Sequence, residues 1–267
     1  AVIWALGGSM MVLSALIWLP YPVILSIGCL LVLGHNALDT IHAEGNTIGA
    51  LGWRLLHEQG NTTFGDLSVF VMYPILPWIG VMTLGYCLGK LYTSAFDAVR
   101  RKRILTILGL SAIALFVILR FINQYGDMAG WSAQTDPSFT VLSFFNVTKY
   151  PPSLLYTTMT LGPALLFLAF SENISNGVSK FITTYGKVPM FYYLCHLYLI
   201  HLGGVVMAYI QGFQPSDFDH AAPEGYGVNL GITYLVWIAV VLILYPACKW
   251  YENFKYARKE NKWLSYL

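Results

Sequence analysis

An all-α bundle of about seven membrane-spanning helices is what this sequence predicts, and three observations carry the prediction. Of the 267 residues, 57% are hydrophobic and only 10% are charged, whereas a soluble domain carries about 25% charged residues. Several apolar runs approach the ~20 residues with which an α-helix crosses ~30 Å of hydrocarbon. The alternating ~10-residue segments of a membrane β-barrel are missing, so helices must satisfy the backbone inside the lipid.

The spans are expected at about 2–19, 21–39, 74–94, 103–122, 152–171, 188–210 and 229–250, with ends good to a few residues. Pro20 and Pro22 mark the turn between the first two. The second ends at Gly34, His35 and Asn36. A polar stretch of roughly thirty residues with Trp53, Arg54 and His57 then leads to Tyr73 and Pro74, which open the third. Within the third, Gly85 and Gly89 make a G-x-x-x-G pattern of the kind that lets helices pack closely. The fourth follows the basic run Arg100 to Arg103, and a long connection from Asn123 to Tyr150 separates it from the fifth. Pro151 and Pro152 stand where a first helical turn tolerates them. The sixth follows Lys187, and the connection from Gly212 to Val228 leads to the seventh. All are read as one transmembrane domain over residues 1–267, without internal repeat. Because Ala1 opens inside an apolar run, with neither Met nor a charged leader, further sequence is expected upstream.

An odd number of spans puts the chain ends on opposite sides, and basic residues decide which is which. One face carries Lys90, Arg100, Arg101, Lys102, Arg103, Lys180, Lys187, Lys249, Lys255, Arg258, Lys259 and Lys262; the other has Arg54, Arg120 and Lys149. The positive-inside rule makes the first face, and the C-terminus, cytoplasmic. The long outer connections then hold nine of the thirteen acidic residues: Asp39, Glu44, Glu58, Asp66, Asp127, Asp136, Asp217, Asp219 and Glu224. Such a surface favours a neutral or amine-bearing acceptor over a phosphate. The partners expected are the lipid bilayer and a polar small molecule or glycan, with no nucleic acid; a homo-oligomer or a larger membrane complex is compatible. The four cysteines, Cys29, Cys87, Cys195 and Cys248, lie in apolar runs without metal-ligand spacing and read as packing residues. The run Arg100 to Arg103 has the charge to meet the phosphates of an anionic cofactor, although the orientation rule alone accounts for it.

Ionisable groups at membrane depth are costly and mark candidate sites. His196 lies nine residues beyond Lys187, ~13 Å into the bilayer at about 1.5 Å per residue. His201, five residues on, points ~140° away, so the two are no metal pair and no metal is expected. Tyr192 shares the His196 face and is placed for a hydrogen-bonded pair. His35 and Asp39 are one helical turn apart, the spacing at which a carboxylate orients an imidazole as a general base, and Asn36 beside them offers a donor and an acceptor. Lys149, preceding the fifth span near the positive end of a helix dipole, needs a partner: Asp127, Asp136 or a bound acceptor. Asn146 stands close by in sequence. The plainer alternatives are histidines satisfied by helix carbonyls, capping polar groups, and a lysine extended into water.

Six stretches together resemble a family of bacterial membrane proteins of uncharacterised function related to heparan-alpha-glucosaminide N-acetyltransferase. They are Val2 to Gly7, Gly34 to Asp39, Tyr73 to Gly89 (YPILPWIGVMTLGYCLG), Asn146 to Pro163 (NVTKYPPSLLYTTMTLGP), Tyr185 to His201 (YGKVPMFYYLCHLYLIH) and Trp263 to Leu267. The resemblance implies a multi-pass enzyme of the bacterial inner membrane that takes an acetyl or similar group from cytoplasmic acetyl-CoA or another acyl-CoA. The group goes to a sugar or cell-envelope acceptor outside. It implies a bundle of about ten helices, of which this chain is the later part, and it matches His196 to a histidine in the acetyltransferase's late helix. His35 or His196 is then the expected base, Asp39 its orienter, and Asn36, Asn146, Lys149, Tyr192 and His201 the expected substrate contacts. A non-catalytic subunit of a larger complex and a small-molecule or lipid transporter are the alternatives.

Overall fold

The computed structural model describes residues 2–218, 222–258, 260, 261 and 264. Asp219, Lys259, Lys262 and most of the closing block from Trp263 lie outside the described residues. The helices are α1 (Val2–Leu16), α2 (Tyr21–Gly34), α3 (Ile48–Leu56), α4 (Leu76–Gly89), α5 (Ala98–Ile122), α6 (Pro137–Phe145), α7 (Leu154–Ser171), α8 (Gly177–Lys187), α9 (Pro189–Ile210) and α10 (Leu230–Ala257). Short 3-10 turns prolong α2 through His35–Leu38 and α4 through Lys90–Tyr92. Five helical segments are long and apolar enough to cross a membrane: Tyr21–Leu38, Ala98–Ile122, Leu154–Ser171, Pro189–Ile210 and Leu230–Ala257. The chain is therefore a mostly helical membrane protein, and its exposed apolar side chains, such as Leu30, Phe121, Tyr198 and Ile210, are placed for contact with lipid. Helices also occupy the other two expected spans, but α1 and α4 have 15 and 14 residues, short of the ~20 that span the hydrocarbon. Length and composition thus identify five of the seven expected crossings.

The polar connection after the second span is more ordered than its composition predicts. It holds α3 and a two-stranded antiparallel hairpin, β1 (Gly60–Phe64) and β2 (Leu67–Val71), which adds a small sheet to the expected all-α fold. Gly65, at φ 57°, supplies the left-handed turn residue between the strands. The connection after α5 likewise contains α6, with Asp136 as N-cap.

The chain divides into two compact units, residues 1–172 and 173–267. In the first, α5 packs along α7 and α2 along α4. Both crossings are close because glycines remove the side chain. A Cβ on Gly109 would stand 2.9 Å from the Gly162 carbonyl oxygen, and one on Gly80 2.9 Å from the Leu31 Cβ. The expected packing pair Gly85 and Gly89 plays no such part among the described residues, none of which lies within 4 Å of a Cβ at either. In the second unit Val188, Val240, Leu244, Cys248 and Tyr251 form the core. There the buried Glu252 carboxylate is held by Lys187 at 2.6 Å and Lys249 at 2.8 Å. All four cysteines are free, Cys87 and Cys248 being buried.

Candidate functional site

The C-terminal end of α2 meets the N-terminal end of α7 in the first unit, and a chain of side-chain hydrogen bonds starts there. The Leu154 N–H, orphaned in the first turn of α7, donates to Asn36 Oδ1 at 2.8 Å. Asn36 Nδ2 donates to Asp39 Oδ2 at 2.7 Å. The other Asp39 oxygen accepts from His57 Nε2 at 3.1 Å. His57 is 3% exposed, and its Nδ1 has no hydrogen-bond partner among the described residues. A carboxylate on Nε2 selects the tautomer protonated there and leaves the lone pair on Nδ1. Among the described residues Ser9 Oγ, Trp78 Nε1 and Tyr251 OH are also buried without partners, but of these four groups His57 alone has a carboxylate on its other polar atom.

His57 follows α3, and side chains of that helix hold the preceding loop. Trp53 Nε1 donates to the Ile41 carbonyl at 2.9 Å, and the Trp53 ring lies 5.4 Å from that of His57. Arg54 donates to the Ala43 and Gly45 carbonyls and, at 2.6 Å, to Thr62 of β1. Glu58 accepts the Ala43 N–H at 2.7 Å. The hairpin and α3 thus bring His57 to Asp39, 18 residues away in sequence.

His35 does not pair with Asp39. Its Nδ1 lies 3.0 Å from the Leu31 carbonyl and 3.1 Å from that of Val32, and its Nε2 lies 3.0 Å from that of Pro152. Both ring nitrogens face backbone carbonyls and the Asp39 oxygens are taken by Asn36 and His57, so the expected pairing in which Asp39 orients His35 is not made. His35 ties α2 to the start of α7 instead.

The segment before α7 is pinned as firmly. Asp127 accepts from Ala129 N, Thr148 N, Thr148 Oγ1 and Ser153 Oγ, all between 2.7 and 2.8 Å. Ser153 also caps α7 by accepting the Tyr156 N–H. Asp136 caps α6, so neither of the carboxylates expected beside Lys149 is its partner. The exposed Lys149 lies 5.1 Å from the centre of the Tyr150 ring instead. The Tyr150 hydroxyl is 2.9 Å from that of Tyr73. The Tyr73 hydroxyl and the neighbouring Lys149 ammonium hold the Tyr150 phenol below the usual tyrosine range, and Tyr150 beside it holds Lys149 above the usual lysine range. Asn146 is not joined to this group. Its carbonyl accepts from Arg120, and the residue lines a shallow hollow with Gln134 and Phe139.

No family model, characterised protein or solved structure matches this chain. The site is therefore read from its chemistry.

His196, Tyr192 and His201 belong to the second unit. Tyr192 and His196 are in contact, but by stacking, with ring centres 5.2 Å apart and planes 5° from parallel. The hydrogen bond expected from the Tyr192 hydroxyl is replaced by an approach of His196 Nδ1 to the Tyr192 carbonyl at 3.2 Å. His201 lines an open apolar hollow with Gly204, Ala208, Tyr209, Phe213 and Tyr226. Among the described residues no cluster of His, Cys, Asp and Glu has the arrangement of a metal site. His57 was the residue that sequence reasoning passed over. Its only signal was a histidine in a long polar connection that also held Trp53 and Arg54.

Proposed function

We propose that this chain is the later part of a membrane-bound acyltransferase, crossing the bacterial inner membrane seven times with its C-terminus in the cytoplasm. Acetyl-CoA or another acyl-CoA is the donor, and a hydroxyl or amine of a sugar or other envelope component outside is the acceptor. The observation that supports this reading best is the pairing of half-buried Asp39 with buried His57, whose Nδ1 has no partner among the described residues. A buried acceptor atom left unsatisfied costs about 1–3 kcal/mol, and an incoming hydroxyl or amine supplies the missing donor. As the acceptor attacks the thioester carbonyl carbon, its proton passes to His57 Nδ1 and Asp39 stabilises the imidazolium; the carbon–sulfur bond then breaks and the imidazolium returns the proton to the leaving sulfur, so that coenzyme A departs as the thiol and His57 is neutral again. Exposed Lys102 and Arg103, at the start of α5, are the cations available for the donor's phosphates; Arg101 is engaged by Glu172 and by the Leu91 and Phe96 carbonyls. The family resemblance and the basic face support the same direction of transfer.

Transfer of labelled acetyl groups from acetyl-CoA to envelope glycans, measured in membranes with the full-length protein, tests the proposal. His57→Gln keeps an amide to donate to Asp39 but has no base, and is expected to lower transfer at least ~100-fold without changing the melting temperature. Asp39→Asn should fall by a similar factor. Unchanged transfer in His57→Gln overturns the assignment. Absence of transfer by the unaltered protein, together with co-purification of a second membrane protein, would favour the non-catalytic subunit.

A further inference from the structure

Lys149 stands on a segment whose backbone is held from three sides. Asp127 binds Thr148 and Ser153, His35 approaches the Pro152 carbonyl, and Asn36 accepts the Leu154 N–H. Lys149 itself bridges to Pro152 across the turn. The segment therefore presents Lys149 and Tyr150 in a set geometry, and Tyr73, just before α4, completes the group through its hydroxyl contact with Tyr150. Tyr156, from the first turn of α7, is the remaining titratable group that acts on Lys149.

The group has an excess of donors. Among the described residues no carboxylate makes an ion pair with Lys149, and the nearby Asp127 has its two oxygens engaged by four donors. The ammonium has three N–H groups, and the neighbouring Tyr150 hydroxyl can take at most one of them. The contact between the two phenols uses one hydroxyl proton and leaves the other. Two ammonium protons and one phenol proton thus have no acceptor within the cluster. A planar carboxylate is best matched by the fork of an arginine, whereas lysine binds phosphate as a point charge and phenols add single donors.

We propose that Lys149, Tyr150 and Tyr73 form a binding site for a phosphate group, carried either by a soluble phosphate ester or by an anionic lipid headgroup. The site is a local exception to the acidic composition of the long connections. It stands on its own donors and does not depend on acyl transfer, so the two proposals fail separately.

Tyr150 reports on occupancy. A phosphate held by Lys149 places negative charge beside the phenol, disfavours tyrosinate, and raises the pH at which it forms. At ~5 Å in water-like surroundings one unit charge lowers the acid dissociation constant about fourfold. The titration is read as tyrosinate ultraviolet absorbance, the protein minus its Tyr150→Phe variant. It is run in detergent with inorganic phosphate or with chloride at equal ionic strength, and in nanodiscs of phosphatidylglycerol or phosphatidylcholine. A shift of about fourfold with inorganic phosphate supports the soluble ester, and a shift confined to phosphatidylglycerol nanodiscs supports the lipid headgroup. Lys149→Gln, at an exposed position, should abolish either shift while the melting temperature stays unchanged. No shift under any condition, or an equal shift in Lys149→Gln, overturns the site.

Discussion

Arg120 and His57 are both buried, and they show opposite solutions to the same problem. Arg120, 1% exposed, donates to the carbonyls of Phe144, Ala129, Ser143 and Asn146 at 2.7–2.9 Å. Its planar fork closes the C-terminal end of α6, where carbonyls lack intrahelical donors. Lysine has no fork and reaches fewer of them. Arg120→Lys should therefore cost about 2–3 kcal/mol, seen as a lower unfolding temperature in detergent; an unchanged temperature would mean that those carbonyls find other donors. His57 keeps one nitrogen without a partner, which is why it, and not Arg120, is the candidate for chemistry. The sequence singled out Asp39 and Asn36 because they follow His35 within one helical turn. It could not single out His57, whose pairing with Asp39 depends on the path of a loop.

Helix pairs in the first unit depend on where glycine lies. A Cβ at Gly162 would meet Ile113 Cγ1 at 2.7 Å and the Gly109 carbonyl at 3.2 Å. Backbone cannot yield as a flexible side chain does, so Gly162→Ala should separate α5 from α7 at a cost of about 1–3 kcal/mol. Gly85→Ala is the internal comparison, because open space surrounds that position. It should be neutral or stabilising by up to about 1 kcal/mol through helix propensity. Equal melting temperatures for the two variants would refute the close crossing. The G-x-x-x-G spacing at Gly85 and Gly89 was readable in sequence, but which glycines face a neighbouring helix depends on how each helix is rotated in the bundle. The hairpin was missed for a related reason. Strands β1 and β2 are five residues each, too short for a clear alternation, and they take shape in company with α3 and Arg54.

The proposed orientation makes a claim about the whole protein that labelling can check. If the basic face is cytoplasmic, a membrane-impermeant thiol reagent on intact cells should modify Lys149→Cys and spare Arg258→Cys, with both labelled once the cells are opened. The reverse pattern would invert the topology. Native Cys87 and Cys248 are buried, which limits the background. The site histidines fall in different compact units, with His35 and His57 in the first and His196 and His201 in the second. Transfer assays on variants of each unit therefore report on separate parts of the chain.

Composition and the lengths of the apolar runs were enough to place this chain in a bilayer as helices. Each turn of a helix closes its own hydrogen bonds, so that property is local and survives in a linear string. The same locality made the helix end near His35 and the turn at Pro20 and Pro22 accessible to reasoning from the sequence. The pairing of Asp39 with His57 required the loop from Thr40 to Asn46 to be held by Trp53, Arg54 and Glu58, and the Lys149 cluster required Tyr73 to meet Tyr150 from 77 residues away. Those partnerships arise from packing between distant segments, which no periodicity encodes.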